Sequence, residues 1–120
     1  MGWEPISESE LASWVEQAYA AMTGSERRQF DEIRIPLRRL FCQRSPMLGP
    51  EVLYAVARRG RQYLIFDDVE EDFGIATHSG DEMEVLNSWV LAGELQHALH
   101  TLLSGDYGNC VIAPGGYGGD

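Results

Sequence analysis

The stretch "EVLYAVARRGRQYLIFDD", residues 51–68, constrains the fold more than any other part of the chain. Residues 52–58 and 62–67 are rich in β-branched and aromatic side chains, and Gly60 between them permits a tight turn, so the pattern predicts an antiparallel hairpin. Because both faces would be apolar, we expect two strands in the middle of a sheet that is covered on both sides. Alternation predicts one face from Leu53, Ala55 and Ala57 and the other from Val52, Tyr54 and Val56.

Two helices are predicted before this hairpin and one after it. Ser7 and Glu10 have the spacing of a capping box, and apolar residues then recur every three or four positions, which predicts a helix over residues 7–22. Thr23 with Glu26, or Ser25 alone, caps a shorter predicted helix that runs to about residue 33 and ends before Pro36. The stretch "AGELQHALHTLLS" predicts a final helix that ends near residue 105.

The remaining segments are less regular. We expect one helical turn at residues 37–41, a loop over 42–51 and a third strand over 73–78. Residues 82–90 fit a fourth strand, with a helix as the alternative, and "CVIA" fits a short edge strand. These elements predict a single α+β domain over residues 1–113, with an antiparallel sheet of about four strands packed with two N-terminal helices and one C-terminal helix. Residues 114–120 are predicted to form a flexible glycine-rich tail.

The composition fits one compact domain, since the 120 residues are 44% hydrophobic. No apolar stretch approaches the roughly 20 residues of a membrane helix, and the first residues lack the pattern of a secretory signal. Cys42 and Cys110 are too few for a disulfide framework, so two reduced thiols in a cytoplasmic protein are expected.

The net charge of −10 conceals two regions of opposite sign. All nine basic residues are arginines, and they lie between Arg27 and Arg61. Residues 67–94 contain only acids among their charged side chains. We therefore expect either a two-sided molecule or one in which pairs join the halves. The overall acidity argues against a nucleic-acid partner, whereas a homodimer that pairs the two halves is possible.

The acidic run after the hairpin is the main candidate site. Its five carboxylates belong to Asp67, Asp68, Glu70, Glu71 and Asp72. Contiguous side chains on an extended chain point in opposite directions, so they suit neither one metal ion nor the spacing of a calcium loop. A hydrophilic turn also offers little of the burial that acid–base catalysis requires. The run therefore predicts either a solvated turn or an exposed patch that attracts a partner with a basic surface.

Several other residue types carry possible chemistry. Phe73 could supply an apolar anchor beside the acidic run. His97 and His100 lie three apart on the last predicted helix, which favours two partly exposed side chains over a metal site. A small metal-dependent hydrolase that uses these histidines with the acidic turn is the alternative function. The three tryptophans are expected in the core, Trp14 because it shares a stripe with other apolar residues; they are Trp3, Trp14 and Trp89.

The segments "DDVEEDF" and "WVLAGELQHALHTLL" give the chain a resemblance over residues 52–103. It resembles small uncharacterised bacterial proteins in which a two-stranded stretch ends in an acidic turn and a leucine-rich helix closes the chain. Asp72 stands where that motif leads us to expect glycine. Small acidic α+β proteins of this kind are similar to the immunity proteins of polymorphic toxins. The resemblance implies a non-enzymatic protein that neutralises a toxin through an acidic surface and needs no cofactor.

Overall fold

The computed structural model describes residues 6–44, 47 and 49–106 and the backbone of residues 111–114. The predicted α+β class is confirmed. The described elements are α1 (Glu8–Ala21), α2 (Gly24–Ile33), β1 (Arg34–Cys42), β2 (Glu51–Arg59), β3 (Gln62–Asp67), β4 (Asp72–Thr77), β5 (Val85–Leu86), β6 (Ser88–Gly93), α3 (Leu95–Ser104) and β7 (Val111–Pro114). None of the helices within these ranges is long and apolar enough to cross a membrane.

Local signals define the starts of α1 and α2 and the end of α3. Ser7 and Glu10 form a capping box at α1, and Thr23 and Glu26 form a second one at α2. In each box the hydroxyl accepts from the backbone of the glutamate, and the glutamate accepts from the backbone of the capping residue. Gly105 ends α3 in the left-handed conformation, with φ of +75°.

The sheet is larger than the expected four strands and is not wholly antiparallel. Its order is β5-β1-β2-β3-β4-β6-β7, and the short β5 runs parallel to β1 while the other neighbours are antiparallel. The helical turn expected at residues 37–41 is wrong, because this segment pairs with β2 as part of β1. The expected fourth strand over 82–90 is divided at Asn87 into β5 and β6. Most of the predicted tail lies outside the described residues, apart from Pro114 in β7.

The predicted hairpin is confirmed, with one change of face. Arg59 pairs with Gln62 on either side of the two-residue turn. Such a turn requires a positive φ, and Gly60 provides it with a φ of +63°. A register shift lies between Ala55 and Ala57. Because this irregularity inserts an extra residue on β2, Ala57 joins the core under the helices, while Ala55 stays on the other side.

Two apolar cores lie on opposite faces of the sheet. The first is closed by the helices and includes Leu11, Phe30 and Leu99. The second contains sheet residues such as Leu53, Ile65 and Trp89 and no helix residue. Since β5 pairs with β1 and β6 pairs with β4, with a single residue between them, the sheet must curl until these distant strands approach each other. The curl lets the sheet cover its own second face.

Gly74 permits the close approach that this curl requires. A Cβ atom at Gly74 would lie 2.0 Å from the carbonyl oxygen of Val90 on β6. The register between β4 and β6 also shifts between Phe73 and Gly74. A glycine is therefore needed where β6 crosses closest to β4.

Candidate functional site

The acidic run forms the connection between β3 and β4. Asp67, the last residue of β3, pairs with Asp72, the first residue of β4, so residues 68–71 make the turn. Glu71 adopts a φ of +59°, a left-handed conformation that a residue with a side chain rarely takes. The glycine expected at position 72 by resemblance would therefore serve this turn better at position 71.

Asp67 is the organising residue of the turn, and it is completely buried at 0% exposure. Its Oδ1 accepts from the backbone N–H groups of Val69 and Glu70 at 3.0 and 3.2 Å and from Arg44 Nη2 at 2.5 Å. Its Oδ2 accepts from Arg44 Nη1 at 3.0 Å and from the indole Nε1 of Trp89 at 2.9 Å. Both oxygens are thus satisfied, which is the condition under which a buried carboxylate is tolerated.

These contacts keep Asp67 ionised. Burial acts to raise the pKa of Asp67, but the hydrogen bonds from Arg44 and Trp89 outweigh it and hold that pKa below its ordinary value. The expectation that all five carboxylates project from one surface is therefore wrong at Asp67. Its charge is neutralised inside the protein and is unavailable to a partner.

Arg44 is the cation that neutralises Asp67. Its side chain is also nearly buried, its Nε lies 3.3 Å from Glu51 Oε1, and its guanidinium carbon lies 5.4 Å from the centre of the Trp89 ring. Burial works to lower the pKa of Arg44, but the hydrogen bond to Asp67 outweighs it and raises that pKa. Sequence reasoning missed this role, because nothing in the local pattern separates Arg44 from the other arginines.

Asp68 is also largely withdrawn from solvent. The residue is 9% exposed, and its Oδ2 accepts from the backbone N–H of Ile6 at 3.2 Å. Burial raises the pKa of Asp68. This contact joins the acidic turn to the start of α1, a connection between residues 62 positions apart.

Phe73, the expected apolar anchor, lies in the core instead. It is 8% exposed, and its ring centre lies 4.9 Å from that of Phe66. Trp14, expected in the core, is 41% exposed and packs edge-to-face on Phe66 with ring centres 5.5 Å apart. The exposed aromatic ring that packs on Phe66 is therefore Trp14, whereas Phe73 is buried. Trp89 is buried as predicted, whereas Trp3 lies outside the described residues.

The part of the run that faces solvent is smaller than expected. Glu70 and Glu71 are exposed, and Asp72 is half-buried. Val69, which follows the buried Asp67 and Asp68, is 38% exposed. We call these four residues the acidic turn surface. Within the described part of the chain, no arginine or histidine forms an ion pair with its three acids.

The histidines do not meet the acidic turn in a metal site. Across residues 6–44, 47 and 49–106, no group of three histidine, cysteine, aspartate or glutamate side chains could hold an ion. His97 and His100 are exposed on α3 as predicted, and His100 Nε2 lies 2.6 Å from Glu26 Oε2. The pKa of Glu26 is lowered by the backbone hydrogen bond from Thr23 and then by His100. The hydrolase alternative has no assembled site in this part of the chain.

Cys42 is not an activated nucleophile. It is a buried free thiol in the second core, and burial raises its pKa to about 12. The other cysteine that was expected to be reduced, Cys110, lies outside the described residues.

The fold and the site together define an α+β protein with a self-covering curled sheet and an acidic turn built on a buried ion pair. Comparison with protein-family models, curated proteins and solved structures finds no match to this chain. The geometry of the described residues is therefore the basis for the functional proposal.

Proposed function

We propose that this chain is a non-enzymatic, cytoplasmic protein-binding domain whose partner presents a basic surface. Its contact region is the acidic turn surface together with Trp14, and it does not include Asp67, Asp68 or Phe73, which are buried. An immunity protein that neutralises a basic toxin is the most specific form of this proposal.

The observation that carries the proposal is the exposed pair Glu70 and Glu71 on a turn whose backbone is fixed by a buried residue. Asp67 fixes the turn backbone through the N–H groups of Val69 and Glu70. A pre-ordered turn has little conformational entropy left to lose on binding. The carboxylates at its tip, which no described arginine or histidine pairs with, attract a basic partner before contact and accelerate its association.

The apolar part of the surface would supply the contact energy that exposed charges lack. Trp14 leaves 41% of its surface accessible while its ring is supported by Phe66, and Val69 is 38% exposed. Tryptophan is the residue type most enriched among the interface residues that dominate binding energy. A partner with a basic rim around an apolar patch fits this arrangement.

The test is capture of a partner from native cell lysate by four forms of the protein. These are the wild type, the double variant Glu70→Lys/Glu71→Lys, Trp14→Ala and the control Glu32→Lys/Glu82→Lys. The control changes the net charge equally, at two exposed acids away from the turn. Far-UV circular dichroism checks that each form is folded.

We expect the wild type and the control to retain the same partner and the turn variant to lose it. With the captured partner in hand, the association rate of the turn variant should fall by about tenfold or more at low salt, and the difference should shrink as salt screens the charges. If the turn variant captures the partner as well as the wild type does at low salt, the proposal is wrong. Sedimentation at low and high salt separately identifies a homodimer as the partner.

A further inference from the structure

Two guanidinium groups meet a single aromatic ring toward the β2–β3 turn, away from the acidic turn. The guanidinium carbons of Arg38 and Arg58 lie 5.3 and 5.7 Å from the centre of the Tyr63 ring. Arg38 Nη1 also donates to the Tyr63 hydroxyl at 2.6 Å. Tyr63 is 2% exposed, Arg38 is half-buried and Arg58 is exposed, so two cations cover a buried ring.

Neither cation is neutralised by the described part of the protein. No carboxylate there lies within ion-pair distance of Arg38 or Arg58, and Arg58 Nε donates to the carbonyl of Gly60 in its own turn. Other arginines bind carboxylates or helix-end carbonyls; these are Arg27, Arg34, Arg39, Arg44 and Arg59. Two cations on one ring, with no ion-paired acid among the described residues, are unexpected in a chain of net charge −10, where acids are abundant.

The acidic turn does not compensate these charges at a distance. Tyr63 lies four residues before Asp67 on β3, a span of about 14 Å, which exceeds the screening length of about 8 Å at physiological salt. His78 packs edge-on against Tyr63, and Glu84 lies 3.7 Å from His78 Nδ1. The Glu84 carboxylate already accepts from the Ser79 N–H and hydroxyl at 2.6 Å each.

We propose that Arg38 and Arg58 form a binding site for a phosphate monoester, with Tyr63 holding both guanidinium groups. A phosphate monoester carries a charge of about −1.5 to −2 at neutral pH, which matches two cations, whereas a single carboxylate would leave one unpaired. Guanidinium groups donate paired hydrogen bonds that suit phosphate oxygens. The phosphate group belongs either to a small molecule or to a phosphorylated polypeptide, and this chemistry is the same for both.

The test titrates the full chain with inorganic phosphate, with a phosphoserine peptide and with the same peptide unphosphorylated. Nuclear magnetic resonance follows the Nε–H signals of Arg38 and Arg58 and the backbone amide of Tyr63. The main variant is Arg58→Gln, which alters an exposed side chain. The matched control is Arg61→Gln, which removes the same charge from an exposed neighbour in the same turn. Arg38→Gln is the second variant.

We expect saturable shifts at Arg38 and Arg58 and weakening by about tenfold or more in Arg58→Gln, the equivalent of one charge-assisted hydrogen bond. Arg61→Gln should bind within about twofold of the wild type, because the described contacts place Arg38 and Arg58, and not Arg61, over the Tyr63 ring, and an exposed charge outside the site is screened by salt. Arg38→Gln, where folded, should weaken binding like Arg58→Gln. Tighter binding of the phosphopeptide assigns the phosphate to a polypeptide, and equal binding of inorganic phosphate assigns it to a small molecule.

The site is wrong if no saturable shift occurs below about 10 mM of either phosphate probe, which is weaker than any useful affinity. It is also wrong if Arg58→Gln and Arg61→Gln weaken binding equally, because the effect would then be general attraction. The double variant Glu70→Lys/Glu71→Lys should retain phosphate binding. Failure of this site and failure of the acidic turn surface can therefore be told apart.

Discussion

Asp67→Asn is expected to be among the most destabilising single substitutions, although it only replaces one carboxylate oxygen by an NH₂ group. The asparagine offers one acceptor oxygen to five donors, and its NH₂ group faces N–H groups that cannot accept. It also leaves Arg44, nearly buried, without its main counter-charge. Removing one partner of a buried pair costs about 3–5 kcal/mol, a large share of the roughly 5–15 kcal/mol that stabilises a domain.

Glu70→Gln is the matched control, because it removes the same charge from an exposed position three residues away. Its free energy of unfolding should stay within about 0.5 kcal/mol of the wild type. Urea unfolding followed by tryptophan fluorescence measures both variants, with Trp89 as a reporter in direct contact with Asp67. If Asp67→Asn costs no more than Glu70→Gln, the buried ion pair does not have the role described.

A double-variant cycle with Arg44→Gln isolates the pair itself. Each single substitution leaves the other charge buried and unpaired, so the double variant should cost less than the two single losses combined. Contacting residues of this kind show coupling of about 0.5–3 kcal/mol. Strict additivity would show that Asp67 and Arg44 do not depend on each other.

The same carboxylate predicts the acid response. Since the pKa of folded Asp67 is held below its ordinary value, its contribution is complete above the unfolded pKa of about 3.9 and is lost as the pH falls through the folded pKa. Unfolding free energies measured between neutral and acid pH should decline in the wild type over this window. Asp67→Asn should lack that part of the decline, and an equally steep decline would contradict the assignment.

Three further substitutions test the turn and the curled sheet by urea unfolding. Asp68→Asn should raise the free energy of unfolding at neutral pH and lose that advantage near pH 3, because burial raises the pKa of Asp68. The amide oxygen can still accept from the backbone N–H of Ile6. A loss of stability at neutral pH would contradict this. Gly74→Ala should cost about 3 kcal/mol or more, since its Cβ would meet a β6 carbonyl oxygen at 2.0 Å, whereas Gly24→Ala, in open space at a helix start, should be neutral or stabilising. Glu71→Gly should stabilise the protein by about 0.5–1 kcal/mol, because glycine adopts the left-handed conformation without the strain of a side chain. Glu70→Gly, at a position where φ is not positive, should destabilise the protein. The reverse order would refute the turn geometry.

Much of the fold could be predicted because its signals are local. A capping box at Ser7 and another at Thr23 act within four residues of chain, and both form as the spacing predicts. The turn at Gly60 likewise depends on one residue that tolerates positive φ. Such features hold whatever the rest of the molecule does, since their hydrogen bonds close within one turn.

Strand identity and face were less predictable, because they depend on what pairs with each segment. Residues 37–41 have apolar spacing that suits a helix, yet β2 offers unpaired backbone groups and draws them into β1. Ala57 changes face through a bulge that no alternation pattern reveals. The curl of the sheet arises from pairing between β5 and β1, two segments more than 40 residues apart.

The sequence by itself determined that an acidic turn follows a central hairpin, because the composition and the strand pattern are both local. Tertiary structure alone decided which acids face solvent. Asp67 and Glu70 have the same charge and lie in the same run. Only Asp67 is buried, because Arg44 and Trp89, which are 23 and 22 positions away in the sequence, bind it. A carboxylate can leave water only where enough donors converge on it, and that convergence is a property of the assembled fold.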